Sequence, residues 1–201
     1  MKQFYGVDIT GTVMNYPLYQ QIKKTGINSN IKILDAGCGD GDALLSLVGE
    51  NCGEGIDLNE KRINAANEKK VKFKFDKVNF NVGDCENIKF PTDYFDLTLS
   101  IEVLEFALNK EKIIEEMIRV TKPQGEIIIV VPNKYNPLRL VLPQLKQTDG
   151  FMSVRELKRL MKNKNVKINK KEYHYSKYLR KLMPKKIPFG TYIILKLKKE
   201  K

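Results

Sequence analysis

The sequence predicts an α/β fold, a mostly parallel sheet wrapped by helices. Three features predict it. Short apolar runs alternate with helical patterns from residue 32 to residue 131. A loop with three glycines follows the first of these runs. A last run, Tyr192–Leu197, alternates as a strand does and has no matching helical pattern before it, which suggests an antiparallel ending.

Each element follows from local signals. Pro17 with Leu18, Tyr19 and Ile22 predicts a short helix that stops before Gly26. Lys32–Ala36 reads as a buried strand, and Ala43, Leu44, Leu45, Leu47 and Val48 give the next helix its apolar face. Gly53–Leu58 is a second strand, and Asn59 is placed to cap a helix running through Lys70. Phe80–Gly83 and Phe95–Ser100 predict the third and fourth strands. Asn109 can cap a helix that presents Ile113, Ile114, Met117 and Ile118 on one side. "KPQGE" reads as a turn closed by Gly125, before a fifth strand, Glu126–Val131. Ser153-Val154-Arg155-Glu156 has the spacing of a capping box, with Leu157, Leu160 and Met161 as the buried stripe. Val166–Tyr175 reads as a strand, followed by a basic segment with Pro184 and Pro188.

The bulk numbers narrow the class. A chain of 201 residues suits one domain able to bury roughly 70% of its unfolded surface. Hydrophobic content of 42% beside 30% charged residues fits a soluble globular protein and argues against a disordered one. The longest apolar run, Ile127–Val131, falls far short of the ~20 residues of a membrane span. The opening "MKQFYGVDITGTV" has no apolar signal core, so the expected location is the cytoplasm. Cys38, Cys52 and Cys85 show no CxxC pair, which fits reduced thiols and no metal site. Charge is uneven: residues 151–201 hold 17 Lys and Arg against 3 Asp and Glu, whereas the first 150 hold 19 against 21. The basic end is either a solubilising surface or a contact for an anionic partner, RNA or a membrane surface.

The chemistry concentrates in "ILDAGCGDGD", residues 33–42. Gly37, Gly39 and Gly41 leave a strand and open a helix, the place where an open α/β sheet binds its ligand. Missing Cβ atoms permit unusual φ/ψ values and the close approach of a ligand to the backbone. Asp42 stands where a dinucleotide loop has its third glycine, and Asp35 and Asp40 add two further carboxylates. Three acids disfavour a pyrophosphate and favour a cation. Asp57, ending the second strand, can accept hydrogen bonds from both hydroxyls of a ribose. Asp84, placed at the end of the third strand, can accept one from an adenine amine. A cation, a ribose and an adenine without phosphate are the parts of S-adenosylmethionine.

These residues resemble the class I S-adenosylmethionine-dependent methyltransferases, especially the small-molecule enzymes of the ubiquinone-biosynthesis type. The resemblance covers about residues 31–133 and rests on "ILDAGCGDG", "GIDLNEKRI", "GDCENIKF", "FDLTLSIEVLEF" and "RVTKPQGEIIIVVPN", in that order. It implies a Rossmann-like sheet of seven strands, helices on both faces and the last strand antiparallel. It also implies S-adenosylmethionine as cofactor, held by Asp35, Gly37, Gly39, Gly41, Asp57, Leu58, Asp84, Cys85, Ser100 and Ile101. The expected organisation is a single domain: an N-terminal helical lid (1–30), a cofactor-binding core (31–133) and a basic, substrate-side segment with the final strands (134–201). Tyr5, Tyr16, Tyr19, Asn133, Tyr135 and Arg139 are candidates to border the acceptor pocket. Many relatives carry His where this chain has Phe106, so that position offers no acid–base group here. Glu102 is the candidate catalytic base, with Glu105 beside it. His174, the only histidine, is expected in a packing or surface role. The leading function is methyl transfer to a small molecule, lipid-like or sugar-like. The alternatives are an RNA methyltransferase docking through the basic end and a non-catalytic binder of the nucleoside.

Overall fold

The computed structural model describes residues 17–24, 26–136, 150–174 and 190–201. Tyr5, Tyr16, Arg139, Tyr175, Pro184 and Pro188 lie outside the described residues. The elements are α1 (Pro17–Lys23), β1 (Lys32–Ala36), α2 (Asp42–Leu47), β2 (Cys52–Asp57), α3 (Glu60–Lys72), β3 (Val78–Val82), β4 (Phe95–Ile101), α4 (Lys110–Val120), β5 (Thr121–Pro132), α5 (Val154–Leu160), β6 (Val166–His174) and β7 (Tyr192–Lys199). Seven strands form one sheet in the order β3-β2-β1-β4-β5-β7-β6. β1 to β5 pair in parallel, and β7 runs antiparallel to both of its neighbours.

Both faces of the sheet are buried, as strand alternation requires. Ile128 and Val130 join Leu97, Leu99 and residues of α1, α2 and α3 in one core. Ile127, Ile129 and Val131 join Leu195, Leu197 and residues of α4 and α5 in the other. Neighbouring residues of β5 thus serve opposite layers. The capping signals work as read: the side chains of Asn59, Asn109 and Ser153 accept from the backbone N–H of Arg62, Lys112 and Glu156, and Glu156 closes the capping box.

The structure corrects three boundaries. The third strand is Val78–Val82, so Asp84 stands in the turn beyond it. The expected turn at 122–125 lies inside β5. Thr121 pairs with Phe95 and Glu126 with Leu97, so extra residues bulge out between two stretches of ladder, with Gln124 at φ 65°. At β7 the expectation of a single apolar face gives way to burial on both, because Ile193, Leu195 and Leu197 enter one core and Ile194 the other.

Arg119 anchors the loop that carries Asp84. Its guanidinium donates to Glu116 and to the carbonyls of Ile88 and Phe90, and Glu116 in turn accepts from the Ile88 N–H at 2.9 Å. Replacing Arg119 would leave the buried Glu116 carboxylate with only the half-exposed Lys112, 3.9 Å away, as its cation. Arg119→Leu is expected to cost about 2 kcal/mol, at the low end for a broken pair because the arginine is partly exposed. Urea denaturation checks this as a lower midpoint with an unchanged slope.

Candidate functional site

The strand order reverses between β1 and β4, and a crevice opens beyond their carboxyl ends. A cavity of about 340 Å³ lies there, bounded by the loop after β1, by Tyr19 of α1, by Ile101 at the end of β4, and by Glu102 and Phe106 after it. That volume is within the range of small-molecule pockets, roughly 300–1,000 Å³.

The glycine loop is held by its own chain. Gly37 and Cys38 both donate to the Ile56 carbonyl, at 2.8 and 2.9 Å, and Gly39 donates to Asp57 Oδ2 at 3.0 Å. Those amides are therefore engaged and do not point at an anion, unlike the amides of a phosphate-binding loop. The three glycines have φ of 82°, 52° and 79°. A Cβ at Gly37 would meet Val103, and one at Gly39 would meet the Arg62 guanidinium. Backbone conformation and packing within the chain thus require glycine here, rather than the approach of a ligand alone.

The electrostatics also differ from the expectation. Asp40 accepts from Arg62 Nε at 2.7 Å, and Asp42 pairs with Lys69 at 2.5 Å. Two of the three loop acids are thereby matched by cations from α3, which sequence reasoning did not place. Asp35 differs from both. It is 1% exposed, it lines the cavity, and neither carboxylate oxygen has a hydrogen-bond partner. Burial, and after it the charge of Asp57, push its carboxyl up to about 7, with the Leu44 amide outside hydrogen-bonding geometry offsetting little. An orphaned, buried carboxylate facing a cavity fits a cationic ligand and repels an anionic one.

The remaining predicted residues fall around this point. Asp57 ends β2, half-buried, and its Oδ1 accepts from the Asn59 N–H at 2.8 Å. Each of its oxygens keeps a second lone pair. Leu58 (70% exposed) follows it, and Val82 (56% exposed), missed from the sequence, ends the adjacent strand. Asp84 is exposed and accepts from the Glu86 N–H through Oδ1. Cys85 is buried, and burial pushes its thiol up to about 12, so it is an inert packed group. Ser100 is buried with no partner for its hydroxyl. Asn133 is structural: it accepts from the Tyr135 N–H and donates to the Gly190 carbonyl. Tyr135 is exposed. His174 packs, as expected, with Nδ1 2.8 Å from Gln21 Oε1. No cluster suited to a metal ion occurs among the described residues, and no described helix is long and apolar enough to cross a membrane.

Several basic side chains of the C-terminal quarter stand far from this crevice. Arg155, Lys158, Arg159, Lys162 and Lys167 border a shallow groove at the opposite end of the sheet, where Val166 pairs with Lys199. Lysines on the edge strand β6 also discourage pairing with another chain.

Sheet order, antiparallel β7 and a crevice at the ends of β1 and β4 together define a class I S-adenosylmethionine-dependent methyltransferase fold, whose cofactor is S-adenosylmethionine. A family model described as a methyltransferase domain matches residues 27–187, and the chain belongs to that family. Norajmaline N-methyltransferase of Rauvolfia serpentina is 38% identical over 102 residues, covering 49% of this chain and 35% of that protein. The ubiquinone/menaquinone biosynthesis C-methyltransferase of Proteus mirabilis is 30% identical over 145 residues, covering 64% and 57%. The chain thus spans about a third to just over half the length of these curated relatives. An S-adenosylmethionine-dependent methyltransferase from Aquifex aeolicus shares the fold with a TM-score of 0.68 at 18% identity, over 89% of this chain and 87% of that one. The 4+2 cyclase SpnF shares it too, at 0.74 and 16% identity over 92% and 80%, so fold alone does not fix the reaction. Neither an RNA or membrane partner nor a purely binding role draws support from these comparisons.

An Asp whose folded value lies above its ordinary 3.8 prefers the neutral form, so the ionised carboxylate destabilises the ligand-free fold. That penalty is fully present above pH about 7 and fades toward the unfolded value. Asp35→Asn should therefore stabilise the ligand-free protein more at pH 8 than at pH 5, by about 2–3 kcal/mol. Urea denaturation of both proteins at the two pH values measures that difference.

Proposed function

We propose that the chain binds S-adenosylmethionine in the crevice and transfers its methyl group to a small-molecule acceptor. The observation that carries this reading is Asp35, a buried carboxylate on the cavity wall with no partner of its own. In this reading Asp35 meets the positive end of the cofactor. Asp57 accepts from the ribose hydroxyls while it ties down Gly39. Leu58 and Val82, exposed apolar side chains on adjacent strand ends, flank the adenine, and Asp84 accepts from its amine. Gly37, Gly39 and Gly41 set the path of the loop, while Cys85, Ser100 and Ile101 fill the wall behind. The cofactor supplies an electrophilic methyl group on a sulfonium that leaves as a neutral thioether.

The protein's own contribution is positioning and exclusion of water. The curated relatives are named for nitrogen and carbon methylation of small molecules, and this supports a small-molecule acceptor in preference to a polymer. The N-terminal residues 1–30 then lie on the acceptor side, with Tyr19 of α1 already on the cavity wall, whereas α5 and the start of β6, within 134–201, lie at the other end of the sheet.

Calorimetric titration tests the assignment. S-adenosylmethionine binds the wild type, and Asp57→Ala weakens it by at least about a hundredfold, because two charge-assisted hydrogen bonds of roughly 1.5–3 kcal/mol each are lost. Wild-type affinity falls by up to about tenfold per unit as pH drops below about 7, where Asp35 takes up a proton. An unchanged titration of the Asp57 variant would refute the site.

A further inference from the structure

Glu102 is unusual in three independent ways. It directly follows β4 with φ at 57°, a strained value for a residue with a side chain. The strain is held by its N–H, which donates to the Val130 carbonyl at 3.0 Å. Its side chain lines the same cavity as Asp35. Its Oε1 accepts from the Tyr192 hydroxyl at 2.7 Å, across 90 positions of sequence, which leaves Oε2 without a partner among the described residues.

Resting on the methyl-transfer reading above, we propose that Glu102 is the base that takes the acceptor's proton and that Tyr192 is its positioning residue. The acceptor then carries an acidic O–H or C–H, as phenols and enols do, at the atom that receives the methyl group. The proton passes to Glu102 as the acceptor atom forms its bond to the methyl carbon, and the broken S–C bond leaves its electron pair on sulfur. Charge balances: a carboxylate and a sulfonium give a carboxylic acid and a thioether, and acceptor and product are both neutral.

The surroundings suit a base. Burial raises the Glu102 carboxyl above its ordinary value, and the Tyr192 hydrogen bond opposes the rise. Glu105, nearby on the same loop, has an unpartnered, buried Oε2, and burial, with the charge of Glu102 after it, pushes its carboxyl up to about 7. Asp35, Asp40, Asp42 and Arg62 share the cavity wall, and His174 lies beside the Tyr192 ring at 6.2 Å. Phe106 offers no competing proton acceptor.

The carboxyl can be followed without a known acceptor. Infrared difference spectra of wild type against Glu102→Gln isolate its titration, first with S-adenosylmethionine bound and then with S-adenosylhomocysteine. The expected midpoint is lower with the sulfonium than with the neutral thioether, by about one unit for a charge within hydrogen-bonding reach of the site. Tyr192→Phe should raise both midpoints, since it removes a bond to the charged form. With a phenol as acceptor, Glu102→Gln should slow methyl transfer by about 10²–10⁴. Equal midpoints with the two nucleosides, or equal rates, overturn the proposal. Loss of nucleoside binding in Glu102→Gln alone also overturns it, by assigning Glu102 to cofactor binding. Failure of the wild type to bind S-adenosylmethionine would instead overturn the functional reading beneath it.

Discussion

Asp35 stands near the carboxyl end of an inner strand, between two parallel neighbours, with helices packed over the sheet. Folding strips its carboxylate of water and gives back no hydrogen bond. Such a group is costly in a finished protein, and a chain retains it when something outside the fold completes it. Much of the crevice supports that one deficit. In β2 the Ile56 carbonyl accepts from two loop amides and the Asp57 carboxylate from a third, so the loop does not turn these amides toward Asp35. α3 sends Arg62 and Lys69 to the other loop acids and leaves Asp35 alone. The free energy of ligand binding and the instability of the empty site are therefore two views of one charge.

Local features were legible in the sequence, and distant pairings were not. Asn59, Asn109 and Ser153 could be read as caps because a cap and its partner lie within three residues. Alternation and the glycine loop located β1 and the crevice, because both are properties of contiguous residues. Arg62 and Lys69 escaped notice: they meet Asp40 and Asp42 across 22 and 27 positions, and the rotation of α3 decides whether they arrive. From the sequence, all three acids bar a phosphate, whereas the structure pairs two of them with α3 cations and leaves engaged amides and one unpartnered carboxylate. The β4–β5 bulge was misread as a turn before a strand, because a run such as "KPQGE" looks the same whether or not the ladder resumes behind it. The unusual backbone angles of the glycines were legible, but the neighbours that a Cβ would meet, Val103 and Arg62, were not, since what surrounds a Cβ position is known only after folding.

Two acids divide the cavity by environment. Asp35 has no hydrogen-bond partner for either carboxylate oxygen. Glu102 has one donor, which fixes one oxygen and leaves the other free. A fold that shares its architecture with methyltransferases and with a cyclase acquires its particular chemistry from such small differences at strand ends. The basic groove between α5 and β6 lies at the opposite end of the sheet from the crevice.

β7 follows β6 in the chain yet lies inside it, between β6 and β5. A chain that emerges from the ribosome in order cannot seat β6 first. Until β7 slides into place, β5 presents a bare hydrogen-bonding edge of Ile and Val to its surroundings, and Glu102 lacks the hydroxyl that steadies it. Completion of the sheet and arming of the pocket are one event, so a nascent chain caught short of β7 has neither.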